Sequence, residues 1–377
     1  MAAKNLLEGI EEVLLMGPGP SSVPPEVYAA MGRPTLGYLD PYFIQIMDEV
    51  KRLLQQLMKT RNELTLPLSG TGSAGMEACL ANLLEPGDPV LILINGYFGT
   101  RMREIAGRLG AEVESLEFEW GKPVEPEAAA GRLAGKRYKL LAMVHAETST
   151  GVLNPAAEIG RLLRELPEAR DTLYLLDAVT SLGGVELEMD AWGVDALYSG
   201  SQKCLSCPPG LSPVSFSPRA MEAVARRRNP VPNWYLDVSL LGRYWGGTKR
   251  SYHHTPPINM IYGLYQALLL MLEEGLENVR ARHHRAHEQL VTGLEELGVP
   301  LLVARSCRLP MLNAAGIPKG TDEAEGRALL RNRYKIEVGA GLGPLSGKIW
   351  RIGLMGHAAR EQNVRRLLAA LAEILKD

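Results

Sequence analysis

The chain has 377 residues, 46% of them hydrophobic, and sets 41 lysines and arginines against 43 aspartates and glutamates. A formal net charge of -2 gives no electrostatic reason to expect nucleic acid or an anionic membrane as partner, so small neutral or anionic metabolites fit better. The length exceeds what one hydrophobic core usually supports, so two domains are expected. Cys79, Cys204, Cys207 and Cys307 are too few and too irregularly spaced for a disulfide framework, which suits a reducing compartment, the cytoplasm.

Residues Met1 to Val13 carry three glutamates and no long apolar stretch; they read as the start of a helix and not as a secretory signal. No apolar run approaches the roughly 18 residues needed to span a bilayer, and Ile374-Leu375-Lys376-Asp377 is not a peroxisomal address, so a soluble protein is expected. Leu14-Leu15-Met16 runs into Gly17-Pro18-Gly19-Pro20, turn chemistry that neither a helix nor a central strand tolerates. Ile44, Met47, Val50, Leu54 and Leu57 recur at helical spacing and predict a helix with one buried face.

From Leu64 onward the period changes. Short apolar runs at 64–68, 90–94, 140–144, 173–176, 196–198 and 213–216 alternate with helical patterns, which predicts a mainly parallel sheet covered by helices. Polar or glycine-rich residues follow the first five runs: Gly70-Thr71-Gly72-Ser73, Asn95 to Gly99, Glu147-Thr148-Ser149, Asp177, and Ser199 to Lys203. Open α/β sheets bind ligands beyond the carboxyl ends of their strands, so these five segments are expected to converge on one crevice.

Helices are predicted over 260–272 and 276–297; His283, His284 and His287 in the second read as mostly exposed, with no third ligand placed for a metal. Strands are expected at 301–303, 311–314, 336–338 and 350–352 around a helix at 322–333, and a last helix at 360–375. This gives an N-terminal arm (1–16), a large domain (17–274) and a smaller α+β domain (275–377), with no internal repeat.

Several segments carry chemistry, each with a plainer structural reading beside it. The glycine-rich turn at 70–75, between a strand and a helix, offers backbone N–H groups and the Thr71 and Ser73 hydroxyls to a phosphate, or is simply a tight turn. Lys203 follows a strand among small residues, where desolvation makes an amine nucleophilic enough for a Schiff base with a carbonyl compound; otherwise it is a loop lysine. Asp177 ends a central strand and could pair with a protonated heteroaromatic nitrogen, or cap the next turn through Val179 or Thr180. Arg351, in Trp350-Arg351-Ile352-Gly353, suits a bidentate bond to a carboxylate or a structural ion pair. Cys204-Leu205-Ser206-Cys207 lacks the second pair a zinc site needs, Tyr252-His253-His254-Thr255 reads as a loop offering hydroxyls, and Arg226-Arg227-Arg228 reads as a solvated patch. No metal site is expected.

Eight segments in order, Met16 to Pro20, Ser69 to Gly72, Glu85 to Asp88, Thr148 to Val152, Ser181 to Gly184, Tyr198 to Lys203, Tyr252 to Thr255 and Arg351 to Gly353, make the chain resemble the class V aminotransferases, pyridoxal 5'-phosphate (PLP) enzymes of fold type I. The resemblance is to the alanine–glyoxylate and serine–pyruvate or serine–glyoxylate group. It implies a large PLP-binding domain with a mostly parallel sheet, Lys203 as the Schiff-base lysine and Asp177 as the partner of the pyridinium nitrogen. It further implies cofactor contacts at Thr71, Gly72, Ser73, Phe98, Thr148, Val179 and Gln202, and a substrate side formed by Arg351, Gly19 and Tyr38. Tyr252 and Thr255 would reach the neighbouring subunit's phosphate across a homodimer interface. Phe98 stands where relatives often stack a tryptophan, Ser73 replaces a common histidine, and Tyr38 stands where bacterial relatives often carry histidine; a phenylalanine still stacks. The implied activity is ping-pong amino transfer from alanine or serine to glyoxylate or pyruvate. Alternatives are an (S)-ureidoglycine–glyoxylate aminotransferase, a PLP lyase or desulfurase, and, in another class, a non-catalytic subunit or Rossmann-type nucleotide binder.

Overall fold

The computed structural model describes residues 5–247 and 249–376. Residues 1–4 of the expected N-terminal arm, and Asp377 at the end of the expected small domain, lie outside these. The first described residues are one exposed 3-10 turn, Leu6–Gly9, followed by extended chain, and not the expected helical start: Leu6, Leu7 and Ile10 find nothing to bury against. Strand β1 (Leu14–Leu15) follows. Helix α1 (Pro25–Met31) leads to α2 (Pro41–Met58), where Pro41 opens the first turn and the Asp40 carboxylate accepts from Tyr42 N at 2.8 Å. Met47, Val50, Leu54 and Leu57 are buried as the spacing predicts, but the stripe starts at Phe43, and Ile44, expected in it, is only partly buried.

The central layer begins with β2 (Leu64–Ser69), β3 (Pro89–Ile94), β4 (Glu112–Glu117) and β5 (Leu140–Val144), joined through α3 (Gly72–Leu83), α4 (Tyr97–Arg108) and α5 (Pro126–Gly135). A two-strand hairpin, β6 (Ala146–Glu147) and β7 (Val152–Leu153), precedes α6 (Ala156–Glu165). The layer is completed by β8 (Leu173–Asp177), the short α7 (Met189–Trp192), β9 (Ala196–Tyr198) and β10 (Leu211–Phe216). Seven strands form one sheet in the order β2-β10-β9-β8-β5-β3-β4. All neighbours are parallel except around β10, which is antiparallel to both β2 and β9. Strands β5, β8 and β9 are buried along their whole length, as a sheet covered on both faces requires. Strand β4 had no signal in the apolar runs: it is the outer strand, Glu-Val-Glu-Ser-Leu-Glu, with charges at an edge.

After α8 (Pro218–Ala225) and α9 (Val238–Trp245), the long α10 (Ile258–Glu274) packs against α1 and α2, and Gly275 turns the chain into α11 (Leu276–Glu296). A three-stranded antiparallel sheet follows, built from β11 (Leu312–Gly316), β13 (Gly339–Ala340) and β14 (Ile349–Gly353), with β14 in the middle. Helices α12 (Glu323–Arg333) and α13 (Glu361–Ile374) cover it. Strand β12 (Ile336–Glu337) pairs in parallel with β1, and Met16 is buried with Leu290, Trp350 and Val364. Residues 301–303, expected as a strand, make one bridge, Leu301 to Ala315.

Two surface readings change. His283 and His287 are buried, because they share the inner stripe of α11 with Val279, Ala286 and Leu290. His283 Nδ1 bonds Val279 O at 2.7 Å and its Nε2 accepts from Gly356 N at 2.9 Å, while His287 Nδ1 meets Asn313 Oδ1 at 2.8 Å; burial pushes His283 down to about 4, so it is neutral. Arg227 is not a solvated charge: it donates to Asn82 O at 3.0 Å and Leu84 O at 2.7 Å, the free carbonyls at the end of α3. No helix among the described residues is long and apolar enough to cross a membrane.

Candidate active site

The carboxyl ends of β2, β3, β5, β8 and β9 open onto one cavity of about 130 Å³. Thr71, Gly72 and Ser73 line it from the start of α3, Phe98 from the start of α4, and Thr148 from the hairpin turn. Asp177, Val179, Gln202 and Lys203 complete its wall. The structure thus brings together nine of the residues singled out in the sequence.

Helix α3 leaves its first N–H groups open. Its N-cap, Thr71, makes no side-chain capping bond, and the amides of Gly72 and Ser73 precede the first intrahelical bond. Gly72 gives the wall its concavity, since a Cβ there would lie 2.9 Å from Val179 Cγ2. Gln202 Oε1 is buried without a hydrogen-bond partner, so the wall holds an acceptor that only a ligand or water can satisfy. Arg101, which sequence reasoning missed, also lines the cavity: its guanidinium lies 5.0 Å from the Phe98 ring centre and its Nη1 donates to Ser73 Oγ at 3.0 Å. The available signal was its position three residues after Phe98, one turn along the same helix face.

Asp177 performs the turn-capping role its sequence position allowed, and a tyrosine holds its second oxygen. Oδ1 accepts from Val179 N at 2.8 Å, which is the turn cap, and Oδ2 accepts from Tyr198 OH at 2.6 Å. The register of β8 and β9 sets Tyr198 directly beside it. Burial raises the carboxyl to about 6, against the Tyr198 hydroxyl and the Val179 amide, which favour the charge.

Lys203 Nζ donates to Pro18 O, and a Cβ on Gly19 would come within 2.7 Å of that nitrogen, so only glycine fits beside it. The main chain at Gly19 also has φ +103, a region glycine alone enters freely. Burial, then the charge of Arg351, lowers the amine to about 8, as desolvation at this position predicts. Arg351 extends from β14, donating through Nε to Ala340 O at 2.6 Å and through Nη1 to Thr148 O at 3.2 Å. Its remaining N–H groups have no partner among the described residues. Burial pushes it down to about 10, and Glu147 opposes this. Glu147 itself is fully buried and raised to about 7, chiefly by that burial.

Five predicted residues do not line this cavity: Gly19 and Arg351 stand beside it, against Lys203 and Thr148, and three are elsewhere. Tyr38, Tyr252 and Thr255 do not line this cavity; Tyr38 and Tyr252 hold their rings 4.7 Å apart, and Tyr252 OH meets Thr255 Oγ1 at 3.3 Å on the surface. The adjacent histidines are tied within that region, His253 stacked on Trp234 at 4.2 Å and His254 Nε2 bonded to Ser69 Oγ at 2.7 Å. Cys204 and Cys207 are buried, and burial raises both thiols to about 12. Burial thus disfavours the thiolate at both positions, which makes these two poor candidates for the nucleophile a desulfurase needs.

The family profile described as Aminotransferase class-V matches residues 14–366. The (S)-ureidoglycine–glyoxylate transaminase of Bacillus subtilis is 40% identical over 96% of this chain and 90% of its own length. The alanine–glyoxylate aminotransferase of Callithrix jacchus is 42% identical, covering 96% of this chain and 87% of its own. Among crystal structures, alanine–glyoxylate aminotransferase from Nostoc sp. superposes with a TM-score of 0.94 at 47% identity, over 99% of this chain and 100% of that one. Ureidoglycine–glyoxylate aminotransferase from Bacillus subtilis gives a TM-score of 0.94 at 40% identity, over 97% and 94%.

Proposed function

The chain belongs to the class V aminotransferases, PLP-dependent enzymes of fold type I, and on that premise we propose that it moves the amino group of L-alanine or L-serine to glyoxylate or pyruvate in two half-reactions. The observation that carries the reading is the meeting of an amine, a carboxylate and an open helix end in one cavity. Its parts fit the cofactor: the free N–H groups of α3, with the Thr71 and Ser73 hydroxyls and the side-chain NH2 of Gln202 as donors, suit a phosphate. Phe98 suits a ring face, with Thr148 and Val179 on the remaining wall.

When bound, PLP supplies an aldehyde for the donor's amine and a ring that accepts the electrons freed at the substrate Cα. Asp177, fixed by Val179 and Tyr198, keeps a proton on the ring nitrogen, and Tyr198 OH holds the carboxylate in line. Lys203 Nζ, lowered toward neutrality, takes the proton from Cα and returns it. The unpaired N–H groups of Arg351 take the α-carboxylate, with Gly19 on the substrate side. Arg351→Leu is expected to lower kcat/KM for L-alanine about a hundredfold by leaving that carboxylate unpaired. Affinity of the apo protein for PLP should stay within about threefold of the parent, since Arg351 touches no phosphate position; an unchanged kcat/KM would remove it from the substrate site.

The reading extends to a homodimer in which Tyr252 and Thr255 complete the partner's phosphate site. Support comes from Tyr252 being 55% exposed and outside the lining of its own chain's cavity. It extends also to a cytoplasmic location, which four free cysteines suit, and to a division of the chain near Gly275 into large and small domains preceded by the arm 1–16. The second reading keeps the acceptor and changes the donor, because a relative named for (S)-ureidoglycine stands at the same identity. A kcat/KM panel of L-alanine, L-serine and (S)-ureidoglycine against glyoxylate and pyruvate decides. The proposal expects alanine or serine with glyoxylate to lead; (S)-ureidoglycine leading by about tenfold, a difference of ~1.4 kcal/mol, would install the second reading instead.

A further inference from the structure

Two helices begin at the rim of the cavity, and each leaves backbone N–H groups that need acceptors. The start of α3 is open. The start of α4 is closed, although its own N-cap residue, Gly96, has no side chain and makes no capping bond. The acceptors come from another element. Tyr97 N donates to Ser149 Oγ at 2.9 Å, and Phe98 N donates to Glu147 Oε2 at 3.2 Å. The other carboxylate oxygen, Glu147 Oε1, accepts from Ser149 N at 3.0 Å and Ser149 Oγ at 2.7 Å.

We propose that Glu147 and Ser149 are positioning residues that cap α4 from the hairpin turn and so hold Phe98 and Arg101 against the cofactor. The inference rests on the PLP reading of this cavity. Neither residue lines the cavity, and every hydrogen bond of the Glu147 carboxylate goes to Ser149 or to the α4 amide of Phe98. A buried carboxylate is costly unless its oxygens are satisfied, and here its satisfaction is the cap itself. Gly96 belongs to the same device: a Cβ there would clash with the Glu147 carboxyl and come within 2.5 Å of Ser149 Oγ. The cap is thus possible only because residue 96 has no side chain.

The two residues delivered by this first turn are three apart and face the same way. Arg101 in turn reaches across to Ser73 on α3, so the α4 cap also sets the distance between the aromatic plate and the open helix end. With the Tyr97 and Phe98 N–H groups already taken by Ser149 and Glu147, the start of α4 offers nothing to a phosphate. That leaves α3 as the one open helix start among those lining this cavity, which fixes which way round a phosphate-bearing ring can sit.

The test is a double-variant cycle on the apo protein titrated with PLP, reading the dissociation constant and the circular dichroism of the bound cofactor's visible band. In Glu147→Gln one terminal atom becomes an amide donor facing another donor, and the dissociation constant should rise about tenfold with loss of the dichroic signal. On a Phe98→Ala background the same change should add no more than about twofold, because the ring that the cap positions is gone. Ser149→Ala, a smaller change suited to the case in which Glu147→Gln fails to fold, should raise the constant about threefold and show the same loss of effect on Phe98→Ala. Equal factors on both backgrounds, or unchanged binding in either variant, would overturn the inference. Parent protein that binds no PLP would instead overturn the cofactor reading, so the two failures are distinguishable.

Discussion

Lys203→Ala is expected to abolish the visible absorption that PLP gains when covalently joined to the protein, and to lower amino transfer by about ten-thousandfold, the upper range for loss of a general acid–base group. The loss is large because, among the described residues, Lys203 is the only lysine that lines the cavity. Its setting also predicts a pH dependence. A folded value of about 8, below the usual 10.5, means that the neutral amine falls about tenfold for each pH unit below that point. The rate of PLP uptake by apo protein should therefore rise with pH and level off above about 8. Because the Arg351 charge contributes to the lowering, Arg351→Leu should move that plateau to higher pH. The sign for stability is the reverse of an ordinary paired lysine: the buried ammonium is a cost below about 8, relieved as pH rises toward the unfolded value of 10.5. Stopped-flow absorbance on parent and variant measures the uptake, and a flat profile would contradict the desolvated amine.

The second large effect is at Asp177. Asp177→Asn keeps the shape of the site: the amide oxygen can accept from Val179 N and the amide nitrogen can donate to Tyr198, whose hydroxyl both gives and accepts. It removes only the charge. Amino transfer should fall about a hundred- to a thousandfold, the range for deleting one preorganised electrostatic partner, while PLP still binds. Stability should move the other way. The Asp177 carboxyl is raised from 3.8 to about 6 by burial, so the folded apo protein loses stability as pH rises through that interval, and the loss is complete above about 6. The asparagine variant lacks that titration; its apo form should melt at or above the parent temperature at pH 7 and lose the advantage near pH 4, where both side chains are neutral. A variant less stable at both pH values would show that the carboxylate is held for packing rather than for the cofactor.

Much of this arrangement is legible in the sequence because it lies in runs along the chain. The strands β2, β3, β5, β8, β9 and β10 are short apolar runs, and the polar residue after a parallel strand is obliged to face the crevice. That rule is sufficient to bring Thr71, Phe98, Thr148, Asp177 and Lys203 to one cavity. What escaped is what depends on a neighbour distant in sequence. His283 looks like a surface residue until Gly356, 73 positions later, donates to it. Tyr198 looks like the last residue of a strand until the register sets it beside Asp177. Glu147 reads as one polar residue among three, because its acceptor role toward α4 exists only once β3 and β5 are adjacent. Strand β4 is hidden for a different reason: at an edge, selection against pairing places charges where a strand pattern would show apolar residues.

The most direct test of the whole account is a single half-reaction. Holoenzyme saturated with PLP is mixed with excess L-alanine and no acceptor, and pyruvate, ammonia and the cofactor's visible absorbance are followed together. The visible band should be lost and pyruvate should stop at one equivalent per subunit with no ammonia released; glyoxylate should then restore the band and turnover, again without ammonia. With L-serine in place of L-alanine, continuous pyruvate and matching ammonia from β-elimination, or no change in the band with either amino acid, would contradict amino transfer as the function of this site.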